Sequence, residues 1–190
     1  DQPALQAMLD YYRAALDLNI IDPRILDAGQ PADLWASFLA DPTGMINIDA
    51  HSYLMGRRLL HNTQATAIPT QEGQVVTVGR GWAFALVTKD PSRQNHALKL
   101  IETFLQTDVN AAWATRSSVI PTRQAAFALV AEDDPYWAFL DSYLQTTVPP
   151  PLFAGYDQLG RILQQAVVQV ISGDATPAEA AEAAVTALNQ

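Results

Sequence analysis

Leu5, Leu9, Tyr12 and Leu16 recur at intervals of three and four, so Ala4 to Leu18 is expected to form a helix with one buried stripe. IDPR at 21–24 stops it, because the residue before a proline disfavours helical geometry. A short helix is expected over Asp33–Leu39, carrying Leu34, Phe38 and Leu39. DPTG at Asp41–Gly44 reads as a turn: aspartate begins it, proline fixes φ and glycine closes it. Met45–Ile48 follows as a short buried strand, then a helix over Ser52–Leu60, then a loop over Ala67–Gly73. Gln74–Val78 fits an extended segment.

The second half is richer in helical spacing. Ala97, Leu100, Ile101, Phe104 and Leu105 make one apolar face, with Ser92 as the expected N-cap. Val109–Ala114, Gln124–Val130 and Pro135–Leu144 are expected helices, and SSVIPT at Ser117–Thr122 is a loop between the first two. Glu132, Asp133 and Asp134 read as a solvated turn. Pro149, Pro150 and Pro151 form a stiff extended segment. Leu159, Ile162, Leu163, Ala166, Val167, Val170 and Ile171 trace the strongest stripe of the chain, which Gly173 ends as a left-handed cap. TPAE at Thr176–Glu179 is a capping box, with proline at the first helical position, opening a last helix that runs to about Leu188.

VGRGWAFALV, Val78 to Val87, stands apart. Ala83–Val87 reads as a strand buried on both faces, although its periodicity fits a buried helical turn as well. Glycine permits bends and close backbone approach, so Arg80 and Trp82 are placed on the lip of that run. Two roles fit them: ligand contacts on a loop, or a first core residue beside a solvated turn charge. Helices separated by two or three short strands give a helix-rich α/β pattern with too few strands for a complete sheet.

The chain has 190 residues, 49% hydrophobic and 16% charged, enough apolar material for a core. A net charge of −9 without a basic run argues against nucleic acid and against anionic lipid. The lack of cysteine excludes disulfides and thiolate metal sites. No apolar run reaches membrane-spanning length. No basic-then-apolar export signal opens the chain, which leaves a cytoplasmic protein, a mature one or a piece of a longer one. His51, His61 and His96 are scattered, and neither HExxH nor GxSxG occurs. Asp49, His51 and Ser52 supply triad residue types, but adjacency in sequence is not triad geometry.

The order GMINIDAHSYL, VTVGRGWAFALVTKDPSRQNHALKLIETFLQ, VIPTR and PPPLFAGYDQLGRILQQAVVQVISGDATPAEAAEAAVTALNQ resembles the second half of the family 1 extracellular solute-binding proteins, the sugar-binding components of ABC importers of maltose-binding type. The resemblance covers essentially the whole chain but only the C-terminal half of that family. It implies a helix-rich portion of a bilobed, type II periplasmic-binding-protein-like α/β fold with few short strands. Residues 1–78 and 133–190 would belong to the C-terminal lobe, and 79–132 to the N-terminal lobe of the full-length protein.

The implied function is to bind a mono- or oligosaccharide between the lobes and deliver it to membrane permease subunits, in the periplasm or at the cell surface. No catalytic residue, metal or cofactor is implied. The implied ligand-binding residues are His51, Tyr53, Arg80, Gly81, Trp82 and Tyr156. The family commonly has a tryptophan in the loop where this chain has His51, Ser52 and Tyr53. For His51 the competing role is a plain helix-start residue, for Asp49 an N-cap, and for Tyr156 core packing. A carbohydrate-active hydrolase and a helical protein-interaction module without a small-molecule ligand are the alternatives. A piece lacking its first half is expected to leave Ala83–Val87 uncovered and to self-associate.

Overall fold

The computed structural model describes residues 1–42, 44–70, 72–131 and 134–189. The protein is helix-rich, with two very short strands among the described residues. It divides into two compact units, one formed by Asp1–Ala36 with Pro151–Gln190, the other by Ser37–Pro150.

The first unit joins the two ends of the chain. Helix α1, Gln2–Asp17, buries Leu9 and Ala15, with Leu5 and Tyr12 packed beside them. It ends as Asn19 turns left-handed (φ 56°), and Asp22 then caps a 3-10 turn over Pro23–Asp27 by accepting from the Arg24 amide at 2.9 Å. Helix α2, Pro31–Ala40, starts two residues earlier than expected and crosses from this unit to the next. Near the C-terminus, α8 (Tyr156–Ser172) ends at Gly173 with φ 82°, in the left-handed region that glycine enters without penalty. Helix α9, Pro177–Leu188, opens with the capping box: Thr176 Oγ1 accepts from the Glu179 amide, and the Glu179 carboxylate accepts from the Thr176 amide at 2.9 Å.

Leu9, Ala166, Val170, Ala180, Ala181 and Ala184 form this unit's core. Four of the six are alanines, which lets the three helices approach closely, since interaxial distance follows side-chain size.

In the second unit Asp49 caps α3, Ala50–Gly56, accepting from the Ser52 amide at 2.9 Å, and the helix tightens into a 3-10 turn over Arg57–Leu59. Strand β1, Thr77–Val78, leads to an irregular segment and then α4, Pro91–Phe104. Helices α5 (Thr107–Ser117), α6 (Gln124–Val130) and α7 (Pro135–Leu144) follow, and β2, Thr147–Val148, pairs parallel with β1 in the register Thr77 to Thr147 and Val78 to Val148. Phe127, Trp137 and Leu140 are the core, flanked by Ala50, Leu54, Ile120 and Val130.

Several expectations are corrected. Met45–Ile48 is irregular rather than a buried strand, with Met45 89% exposed. Ala83–Val87 is likewise irregular and exposed. The reason is common to both: a strand exists through the ladder it forms, and no described residue supplies a partner there. Asp90, not Ser92, caps α4, accepting from the Ser92 amide at 2.9 Å; an aspartate two residues upstream reaches that amide with an ionised acceptor. Asp134 is not a freely solvated turn residue, because it caps α7 and meets Arg57. Glu132 and Asp133 of that turn, Thr43 of DPTG and Gln71 of the 67–73 loop lie outside the described residues.

Candidate functional site

His51 and Tyr53 sit on the first turn of α3. His51 Nδ1 lies 2.9 Å from the Ser118 carbonyl oxygen, where α5 ends with Ser118 in a left-handed conformation (φ 54°). A carbonyl only accepts, so Nδ1 carries the proton in that bond, and a neutral ring keeps Nε2 as an acceptor. Asp49 accepts from both the amide and the hydroxyl of Ser52, at 2.9 and 2.8 Å. Burial works to raise its pKa, but the Ser52 hydrogen bonds outweigh that and hold the carboxyl below its ordinary value. Asp49 therefore serves as the N-cap, and Ser52 is engaged with it rather than poised as a nucleophile.

Tyr53 packs on Tyr136 of α7, ring centroids 4.6 Å apart. The Arg57 guanidinium lies 5.4 Å from the Tyr136 ring centroid and pairs with Asp134 at 2.5 Å. Burial, then the neighbouring Tyr53, pushes the Tyr136 hydroxyl up to about 12, so it stays a neutral donor through any ordinary pH. One face of Tyr53 is thus committed to protein packing. Nothing in the sequence brings Arg57, Asp134 and Tyr136 together, since Arg57 and Asp134 lie 77 positions apart and no local pattern joins them.

Arg80, Gly81 and Trp82 follow β1 after Gly79. Arg80 is exposed, and Trp82 is 97% exposed, so its indole is not a core residue of this chain. Phe84 stacks on Phe104 of α4 at 5.7 Å, which tethers the segment just beyond. An added Cβ at Gly81 would meet nothing within 4 Å. The tight position is Gly79, where an added Cβ would lie 2.3 Å from Thr147 Cγ2, so that one of the two would have to shift.

Among the described residues, no hydrogen bond or ring contact joins Arg80 or Trp82 to His51 or Tyr53. Tyr156 belongs to the other unit, as the first residue of α8, half-buried and edge-on to Phe153 at 5.8 Å. A shallow depression on the outer face of α9, lined by Glu179, Glu182, Ala183, Thr186 and Ala187, also lies in that unit and contains none of the candidate residues.

What these residues offer chemically is an exposed indole, an exposed guanidinium and an imidazole held through Nδ1. These suit a neutral polyhydroxylated ligand with an apolar face. Among the described residues no cluster of three or more histidines and carboxylates gathers as a metal site would, and no helix is long and apolar enough to cross a membrane. No family model matches the chain, and no curated protein matches it at a significant level.

Proposed function

We propose that the chain is the C-terminal half of a carbohydrate-binding component of an ABC importer, part of a bilobed type II α/β fold. In this reading, residues 1–78 and 133–190 belong to one lobe and 79–132 to the other. The sugar sits between the lobes, and closure around it presents the loaded protein to membrane permease subunits outside the cytoplasm. The protein acts as a carrier and not as an enzyme.

One observation carries the reading: Arg80 and Trp82 leave the carboxyl end of a parallel strand, and the Trp82 ring is 97% exposed. Ligands of open α/β sheets bind beyond the carboxyl ends of parallel strands. An indole covers the C–H face of a pyranose, while a guanidinium offers a planar fork of donors to its hydroxyls. His51, Tyr53 and Gly81, in the same unit, complete the proposed contact set. Ligand bridging two lobes stabilises the closed state by contacts that the open state lacks.

The test is calorimetric titration of the intact protein with glucose, maltose, maltotriose and cellobiose, repeated with Trp82→Ala. Saturable binding to one of them, weakened in the variant, is expected. Binding that is indifferent to Trp82, or release of new reducing ends, would overturn the reading; the second result would favour a hydrolase.

A further inference from the structure

Gly79 is where β1 gives way to the Arg80–Trp82 segment, and its surroundings are unusually tight. Its amide donates to the Val148 carbonyl at 3.0 Å, extending the β1–β2 ladder by one bond. Its α-carbon lies so close to Thr147 that a methyl group there would fall 2.3 Å from Cγ2, nearer than two carbons can stand. Thr147 is itself held from behind: its hydroxyl donates to the Tyr143 carbonyl in the last turn of α7 at 3.4 Å, and the Thr146 hydroxyl donates to the same oxygen at 2.8 Å.

The other end of α7 holds the second group of candidates. Asp134, at its N-cap, pairs with Arg57, and Tyr136 in its first turn packs on Tyr53. One ten-residue helix therefore supports Tyr53 through its start and the exit of the Arg80–Trp82 segment through its end.

We propose that Gly79 and Thr147 are positioning residues, whose close approach locks the point at which the Arg80–Trp82 segment leaves β1 to the last turn of α7. The purpose of this contact rests on the sugar-binding reading, but its test needs no sugar. If the protein binds no saccharide, the sugar-binding reading falls and the contact can still be measured.

The experiment labels the chain with 5-fluorotryptophan and follows the Trp82 resonance, assigned with Trp82→Phe, together with hydrogen exchange at the residue 79 amide. The variants are Gly79→Ala, Thr147→Ser, the double variant and Gly81→Ala. Gly79→Ala is expected to move the Trp82 resonance and to speed exchange at residue 79 by about tenfold or more, while the core Trp137 resonance stays in place. Thr147→Ser removes Cγ2 and keeps the hydroxyl, so the double variant is expected to regain the wild-type resonance and exchange to within about twofold. Gly81→Ala, in open space, leaves residue 79 exchange unchanged. If Gly79→Ala alone fails to fold, the double variant decides: recovery supports the contact and failure overturns it. Wild-type exchange in Gly79→Ala, or an equal effect from Gly81→Ala, would also overturn it.

Discussion

Arg57 and Asp134, 77 residues apart in sequence, meet at 2.5 Å, and the carboxylate that receives the guanidinium also caps α7. One side chain therefore serves an ion pair and a helix terminus together. Both partners are a little under one-third exposed, which places the pair between a screened surface contact and a buried one.

Asp134→Asn keeps a good cap and removes the charge, so it is expected to cost about 0.5–1 kcal/mol, and Asp134→Ala, which loses both, about 1–2 kcal/mol. Burial alone would raise the Asp134 pKa, but the hydrogen bonds from Arg57 and the Tyr136 amide outweigh it, and the carboxyl lies below its ordinary 3.8. Its contribution is then full well above pH 3.8 and is lost as pH falls through the lower, folded value. Urea unfolding of wild type and Asp134→Asn at neutral and strongly acid pH checks this: the gap between them should close in acid. A gap of unchanged size would contradict the assignment.

Leu9 is fully buried where α1 meets α8 and α9. Leu9→Ala is expected to cost about 2–5 kcal/mol, because the transfer free energy is lost and a cavity remains. Leu152→Ala, at a position 96% exposed, should change stability by no more than about 0.5 kcal/mol. Denaturant midpoints for the two variants give the comparison, and equal shifts would mean that the first unit is not packed as described.

Trp82→Ala should leave stability within about 0.5 kcal/mol of wild type, since the ring packs against almost nothing. Under the proposed function the same change weakens saccharide binding by the intact protein. A large drop in melting temperature would return Trp82 to a packing role.

Trp82, Phe84, Leu86 and Val87 leave an exposed apolar stretch in a segment that carries Arg80 and Lys89 but no carboxylate. The 190-residue chain on its own is expected to associate and to bind sugar weakly or not at all. Light scattering over a range up to about 100 μM should show mass rising with concentration, and Val87→Lys should reduce it. A monomer throughout that range, with tight sugar binding, would show that the exposed stretch needs no cover.

Helices with local signals were legible. The bounds of α6 and α7 follow from apolar spacing and Pro135, those of α9 from its capping box, and the end of α8 from Gly173. Strands were not. Met45–Ile48 and Ala83–Val87 look like strands in isolation, yet pairing is decided by distant partners. Thr147–Val148 pairs with Thr77–Val78 across 70 positions and carries no local mark. Of the candidate residues, Trp82 fitted a loop and a core position equally well in the sequence, and only its exposure decides between them, while the capping role of Asp49 was legible from its place before α3. The tie from Tyr53 to Tyr136 and Arg57 did not, since ring contacts over that separation leave no periodic trace.

The partnership of α1 with α8 and α9 has a consequence for synthesis. Leu9 leaves the ribosome well before Ala180, Ala181 and Ala184, which pack with it. At about 5–20 residues per second, α1 waits on the order of 10 s with its apolar stripe bare while the second unit emerges and folds. Most of a helix's stability in a protein comes from tertiary packing of its apolar face, which α1 lacks until then. For that interval its side chains are available to whatever chaperone attends the nascent chain, and a chain halted before residue 180 never completes the first unit's core.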